Sequence, residues 1–260
     1  MMRSEKLPPM AGRSNTSRYV KVFVGVLLAA VNVWPALITP AWAQSPDQLR
    51  KWCFEDATND QTIQGCGAVL RANRETPQDL ANAYFNRGAA YAGKLQYERA
   101  IQDFDQAIKL SPNFSRAFQL RGQAWANKRQ FDRAIKDYDQ AIKLKLDVAA
   151  AFEGRCTARV ALKQLEPALA DCNEALRLKP DSALQSRGLV YLKLGRVDAA
   201  LADFEAALKR DPKDAVALFG RGIARRKKGD AGGGDSDIAS AKVASGAVAD
   251  YFAKLGIAAN

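Results

Sequence analysis

The side chains here that could do chemistry are four cysteines and two recurring sets of charges. Cys53 and Cys66 lie close together, as do Cys156 and Cys172. Arginine recurs at Arg87, Arg121, Arg155, Arg187 and Arg221. Aspartate recurs at Asp103, Asp137, Asp171, Asp203 and Asp237, each 16 residues after its arginine. Such sets suit covalent cross-links and ion pairs better than turnover. The 260 residues include no histidine, which removes the commonest general base and the usual zinc ligand. No Ser/Lys, paired-Glu or nucleophilic-Cys arrangement stands out, so nothing points to an enzyme.

The charges belong to a larger repeat. Arg87-Gly88-x-x-Tyr91, then Ala100-Ile101-x-Asp103-Phe104-x-x-Ala107 and Pro112, returns as Arg121-Gly122-x-x-Trp125 and Ala134-Ile135-x-Asp137-Tyr138-x-x-Ala141. The steps between the arginines are 34, 34, 32 and 34 residues. A period in that range marks a stacked helical solenoid. The pattern resembles the tetratricopeptide repeat over residues 81–242, in blocks 81–114, 115–148, 149–180, 181–214 and 215–242. The resemblance implies an all-α, right-handed superhelical solenoid of about five antiparallel helix pairs, A and B. Counting within each block, position 8 is Gly88, Gly122, Cys156, Gly188 and Gly222. Position 24 is Phe104, Tyr138, Cys172, Phe204 and Ile238. Small residues let the helices approach, and large ones fill the holes beside them. Pro112, Pro180 and Pro212 end their B helices. Leu146 replaces that proline once, predicting a less sharply defined turn, and the two-residue-short block after Pro180 predicts altered stacking.

In the repeat frame, Cys156 and Cys172 occupy facing positions of one hairpin, so a disulfide is expected there. Cys53 and Cys66 bracket a similar span, with Asn59-Asp60 as the turn. The even cysteine count suits an oxidising compartment. The alternatives are buried free thiols or a metal site; without histidine or Cys-x-x-Cys, metal is disfavoured. The arginines fall at position 7 and the aspartates at position 23, in all five repeats. They are expected to pair and fix helix register, either within a repeat or across to a neighbour. The alternative is a row of anion-binding arginines, which five matched carboxylates would neutralise.

Residues 1–43 have the features of a cleavable export signal. A basic stretch (Arg3, Lys6, Arg13, Arg18, Lys21) precedes the apolar run Val22 to Val31, and Ala41-Trp42-Ala43 fits a cleavage site after Ala43. The run is shorter than the roughly 20 residues that span a bilayer, so no stable membrane insertion is expected after cleavage. A periplasmic or secreted protein follows, the bacterial periplasm being what the resemblance favours. Residues 44–80 read as a degenerate helical hairpin, with Arg74 to Pro77 linking it to the first repeat. Residues 243–260 read as a C-terminal capping helix, with Val248, Tyr251, Phe252 and Leu255 on one face. The net charge is +11, but basic and acidic residues are interspersed, which argues against nucleic acid. Gly232-Gly233-Gly234 lacks the Lys-Ser/Thr of a phosphate loop and is expected to weaken its helix start. No cofactor motif is present.

The resemblance places a partner groove on the A helices, at positions 2, 5, 9, 12 and 13. The residues carried over are Asn82, Phe85, Arg116, Gln119, Gln123, Asn127, Glu153, Thr157, Gln185, Lys193, Phe219, Arg226 and Lys227. This set is rich in amides, with basic patches near both ends, and suits an extended peptide backbone. Each residue has the alternative of a solvated helix face. Position 5 holds no lysine, so a carboxylate clamp of the kind some family members use is not expected. The leading expectation is a non-catalytic scaffold for a protein or peptide partner outside the cytoplasm. The alternative is a cell-envelope accessory contacting peptidoglycan or an envelope enzyme complex, with Phe85 and Phe219 the only groove aromatics for sugar stacking. No motif names the partner or specifies an oligomeric state.

Overall fold

Helix ends follow local chemistry throughout. The computed structural model describes residues 44–145 and 148–258, and every regular element among them is a helix. The hairpin α1 (Pro46–Phe54) and α2 (Asn59–Ala72) comes first. Then follow α3 (Pro77–Gly93) with α4 (Tyr97–Leu110), and α5 (Ser115–Asn127) with α6 (Phe131–Lys143). Next are α7 (Val148–Ala161) with α8 (Leu165–Leu178), and α9 (Leu184–Lys193) with α10 (Val197–Arg210). Last come α11 (Ala215–Lys227) with α12 (Ala231–Ala244), and the single α13 (Val248–Lys254). Each helix packs against its hairpin partner and then against the next hairpin, which builds the solenoid. The expected export signal, its cleavage site and the Leu146 turn lie outside the described residues. None of the described helices is long and apolar enough to cross a membrane.

Thr58 starts α2 with a capping box: its hydroxyl accepts from the Gln61 backbone N–H, and Gln61 accepts from the Thr58 N–H. Thr76 caps α3, accepting from the Asp79 N–H at 3.1 Å, so the helix includes Pro77 and starts before Ala81. Asp230 supplies the cap that the glycine-rich start of α12 needs, accepting from the Gly233 N–H at 2.9 Å. The helices before Pro112, Pro180 and Pro212 stop at Leu110, Leu178 and Arg210. Every A-to-B turn passes through a left-handed residue: Leu95, Arg129, Lys163, Gly195 and Gly229 have φ of 59°, 61°, 60°, 72° and 89°. The two-residue deletion removes the opening of α9, which spans 10 residues.

The core repeats like the sequence. A Cβ on Gly88 would stand 2.9 Å from the Phe104 ring, and one on Gly188 would stand 2.7 Å from Phe204. Those rings reach onward to the next hairpin. Tyr138 lies over Gly154 and Phe204 over Gly220, where a Cβ would meet the ring at 2.4 and 2.3 Å. In the third repeat a disulfide replaces the glycine and the ring: Cys156 and Cys172 are bonded, with Cα atoms 5.5 Å apart. The Cys53–Cys66 disulfide ties α1 to α2 with Cα atoms 4.5 Å apart, beside the close crossing at Gly65. Both disulfides are buried, each in a small cluster that also takes in the following hairpin, through Ala83 for the first and Val190 for the second.

Candidate functional site

The recurring arginines meet the recurring aspartates in two-pronged pairs. Nε and Nη2 of Arg87 donate to Asp103 at 2.8 and 2.7 Å. Arg121 does the same to Asp137 (2.8 and 2.6 Å), and Arg155 to Asp171 (3.0 and 2.6 Å). Arg187 does so to Asp203 (2.8 and 2.7 Å), and Arg221 to Asp237 (2.7 and 2.7 Å). Each pair joins helix A to helix B, and all five aspartates are buried. In three of the five arginines the third nitrogen reaches back one repeat. Arg121 Nη1 donates to Asp105, Arg155 Nη1 to Asp139, and Arg187 Nη1 to Asn173. Bonds to aspartate hold the Arg87, Arg187 and Arg221 guanidinium groups above their ordinary pKa. At Arg121 and Arg155 burial is the largest single influence and works against the charge, and the two aspartate partners of each arginine together outweigh it. Guanidinium groups engaged in this way hold register and have little left for an outside anion. The backward acceptors all fall at position 25 of the preceding repeat.

The A helices present a cleft of about 660 Å³ between α5, α7 and α13. Gln119, Gln123 and Asn127 line it from α5, Glu153 and Thr157 from α7, and Tyr251, Lys254 and Leu255 from α13. Gln123 and Asn127 are exposed, whereas Gln119 and Glu153 are half-buried. Burial raises the Glu153 carboxyl above its usual pKa, partly opposed by the more distant Arg210 and Lys179. The α13 contribution and the nearby Tyr138, Arg129 and Phe131 were not among the sequence candidates. Only the apolar face of α13 was legible, not where it would dock.

The other candidates are placed differently. Phe85 and Phe219 are core residues and do not line the groove. The Phe85 ring lies 4.7 Å from Phe114 with the exposed Arg116 stacked over it, and the Phe219 ring lies 4.6 Å from Phe252. Neither aromatic therefore faces a sugar. Asn82 is half-buried near the start of α3, where it accepts from Gln78. Gln185 donates to Asp214, and Thr157 bonds Ser186. The expected basic ends are largely absorbed. Lys193 donates to the Leu255 carbonyl, and burial lowers its amine pKa. Arg226 pairs with Asp235 at 2.6 Å. At the N-terminal end, Glu55 and Asp56 line a cleft of about 580 Å³ beside Asn86, so acidic groups stand there too.

A stack of helix hairpins with an open polar cleft on its A-helix face defines a helical-repeat protein. The chain belongs to the tetratricopeptide repeat family, whose models match residues 81–114, 120–183 and 186–233, more than half of its length. No curated sequence matches it significantly. Among solved structures it is similar to YrrB, described as a tetratricopeptide repeat protein with an unusual peptide-binding site. The two are 21% identical, the match covers 75% of this chain and 97% of YrrB, and the TM-score is 0.53. It is also similar to MamA from Desulfovibrio magneticus RS-1, at 18% identity, 66% and 98% coverage, and a TM-score of 0.56. PilW, a type IV pilus biogenesis factor, matches at 19% identity, 69% and 87% coverage, and a TM-score of 0.58. At these identities the likeness shows the shared fold.

Proposed function

We propose that this chain is a non-catalytic scaffold that binds an extended segment of a partner polypeptide in the α5–α7 cleft, outside the cytoplasm. The cleft carries the reading. Three amide side chains on one wall offer donors and acceptors that suit a peptide backbone, and the half-buried Glu153 on the floor adds one charge. The peptide-binding site described for YrrB, on the same fold, supports a polypeptide ligand. The placement outside the cytoplasm rests on the export-signal features of residues 1–43 and on the two disulfides.

The test is an affinity capture from envelope extract. Residues 44–260 are immobilised with disulfides intact, beside a variant carrying Gln119→Ala, Gln123→Ala and Asn127→Ala. A polypeptide retained by the first and lost from the second is expected. Equal capture by both would count against the cleft.

A further inference from the structure

A capping helix ordinarily extends the stack, but α13 turns away from it. The outward side of α12 carries exposed Asp235, Ser236, Ser240 and Lys242, and Val243 beside them is left 90% exposed, so α13 does not cover that end. Instead α13 lies over the concave face. Phe252 is fully buried, with its ring 4.6 Å from that of Phe219 on α11. Val248 and Ile257 are buried in the cluster that holds Leu189, Leu192 and Ile223. Leu255 touches that cluster and also the separate one around Cys156, Val160 and Val190. Lys193, at the end of α9, donates its ammonium to the Leu255 carbonyl, which places a cation at the negative end of α13. At seven residues, α13 is far too short to hold its helical form alone, so its order depends on this docking. Its tether, Ser245-Gly246-Ala247, includes a glycine with open space around it.

We propose that the concave face of α9 and α11 is a helix-binding site and that α13 is its resident ligand. A partner helix with an aromatic and an aliphatic residue three positions apart, as in Phe252 and Leu255, competes for it. The site adjoins the amide-lined cleft, with α13 as their shared wall, and its ligand is a helix, not an extended segment. Displacing α13 uncovers Phe219 and Ile223 and frees the Lys193 ammonium for the last carbonyls of the incoming helix. The same move removes the Tyr251–Leu255 wall of the neighbouring cleft. A partner pays for α13 release through a reduced apparent affinity, in proportion to the fraction of molecules already open.

The test uses the full chain and a labelled peptide of residues 246–258. A chain carrying Phe252→Asp and Leu255→Asp is expected to bind the peptide at least about tenfold more tightly than the unaltered chain, whose site is filled. The same two changes in the peptide are expected to abolish binding. Adding Gln119→Ala, Gln123→Ala and Asn127→Ala to the chain leaves this binding unchanged, which separates the inference from the cleft reading. A released variant that keeps its helical circular dichroism yet binds no better than the unaltered chain overturns it. Hydrogen exchange on the unaltered chain provides a second test that needs no variant. The amides of Phe252 and Leu255 are expected to exchange at least about tenfold faster than that of Ile223. Equal rates would mean that α13 opens only with the solenoid, and the proposal fails.

Discussion

Arg155 holds two carboxylates at once, Asp171 in its own hairpin at 2.6 Å and Asp139 in the hairpin before it at 2.5 Å. The two bonds differ in worth because their surroundings differ. The Asp171 side chain is 4% exposed and also receives Arg159, whereas Asp139 is 47% exposed. Asp171→Ala leaves the partly buried Arg159 without its carboxylate and Arg155 with only the hydrated Asp139, and is expected to cost about 3 kcal/mol. Asp139→Ala removes a hydrated partner and is expected to cost under about 1 kcal/mol. Urea unfolding of the two variants checks the ranking. Equal losses would mean that burial does not set the strength of the ladder.

Glu153 makes stability depend on pH in a predictable direction. Burial raises its folded pKa above the unfolded value. In the window between the two, the folded protein holds the proton more tightly. Stability from this group therefore falls as pH rises through the window and stays lower above it. Glu153→Gln is expected to raise the urea midpoint near pH 7 and to leave it unchanged near about pH 3, where the carboxyl is protonated in both states. A midpoint that drops near pH 7 would show that the charge is stabilised by its surroundings.

Gly220 is small because the Phe204 ring of the preceding repeat occupies the space of its missing side chain. Gly220→Ala forces the fully buried ring or the α11 backbone to move and is expected to cost about 1–3 kcal/mol. Gly232→Ala, with nothing within reach of its Cβ, serves as the control and is expected to hold or gain stability. Thermal melts of the two distinguish packing from helix propensity.

The Cys156–Cys172 bond closes a span of 16 residues between helices that, in the first, second and fourth repeats, interlock a glycine with a ring. Replacing both cysteines with alanine removes the cross-link without restoring a ring. The expected loss is about 2–4 kcal/mol, read from urea unfolding under oxidising conditions. The same variants compared in reductant are expected to converge, and a persisting gap would assign the effect to packing.

The repeated features were legible because each recurs five times in one chain. The position-7 and position-23 charges stand out against their neighbours, and the Cys156–Cys172 pair follows from the frame they define. The backward acceptors Asp105, Asp139 and Asn173 were harder to find, because Asp and Asn are common on solvated helix faces and nothing local marks them as paired. Phe85 and Phe219 were misplaced for a different reason. Their register does put them on the A-helix face, but Phe114 and Phe252 arrive from elsewhere in the chain and cover them. No periodicity within the repeat carries that information. The position of α13 was illegible on the same grounds, since its apolar face fits a stacked end cap as well as a seat in the groove.

The backward bonds also differ from one seam to the next. At the seam between the third and fourth repeats the acceptor is Asn173, a neutral amide, where the two earlier seams use a carboxylate. The helix that follows has also lost its opening turn. On one side of that seam stands a hairpin held by a covalent staple, and on the other a block whose large aromatic core runs on to Phe252. Apolar packing carries across that seam what the neutral amide does not: Ala183 and Val190 of the fourth repeat share one buried cluster with the stapled cysteines, and Leu255 closes over it.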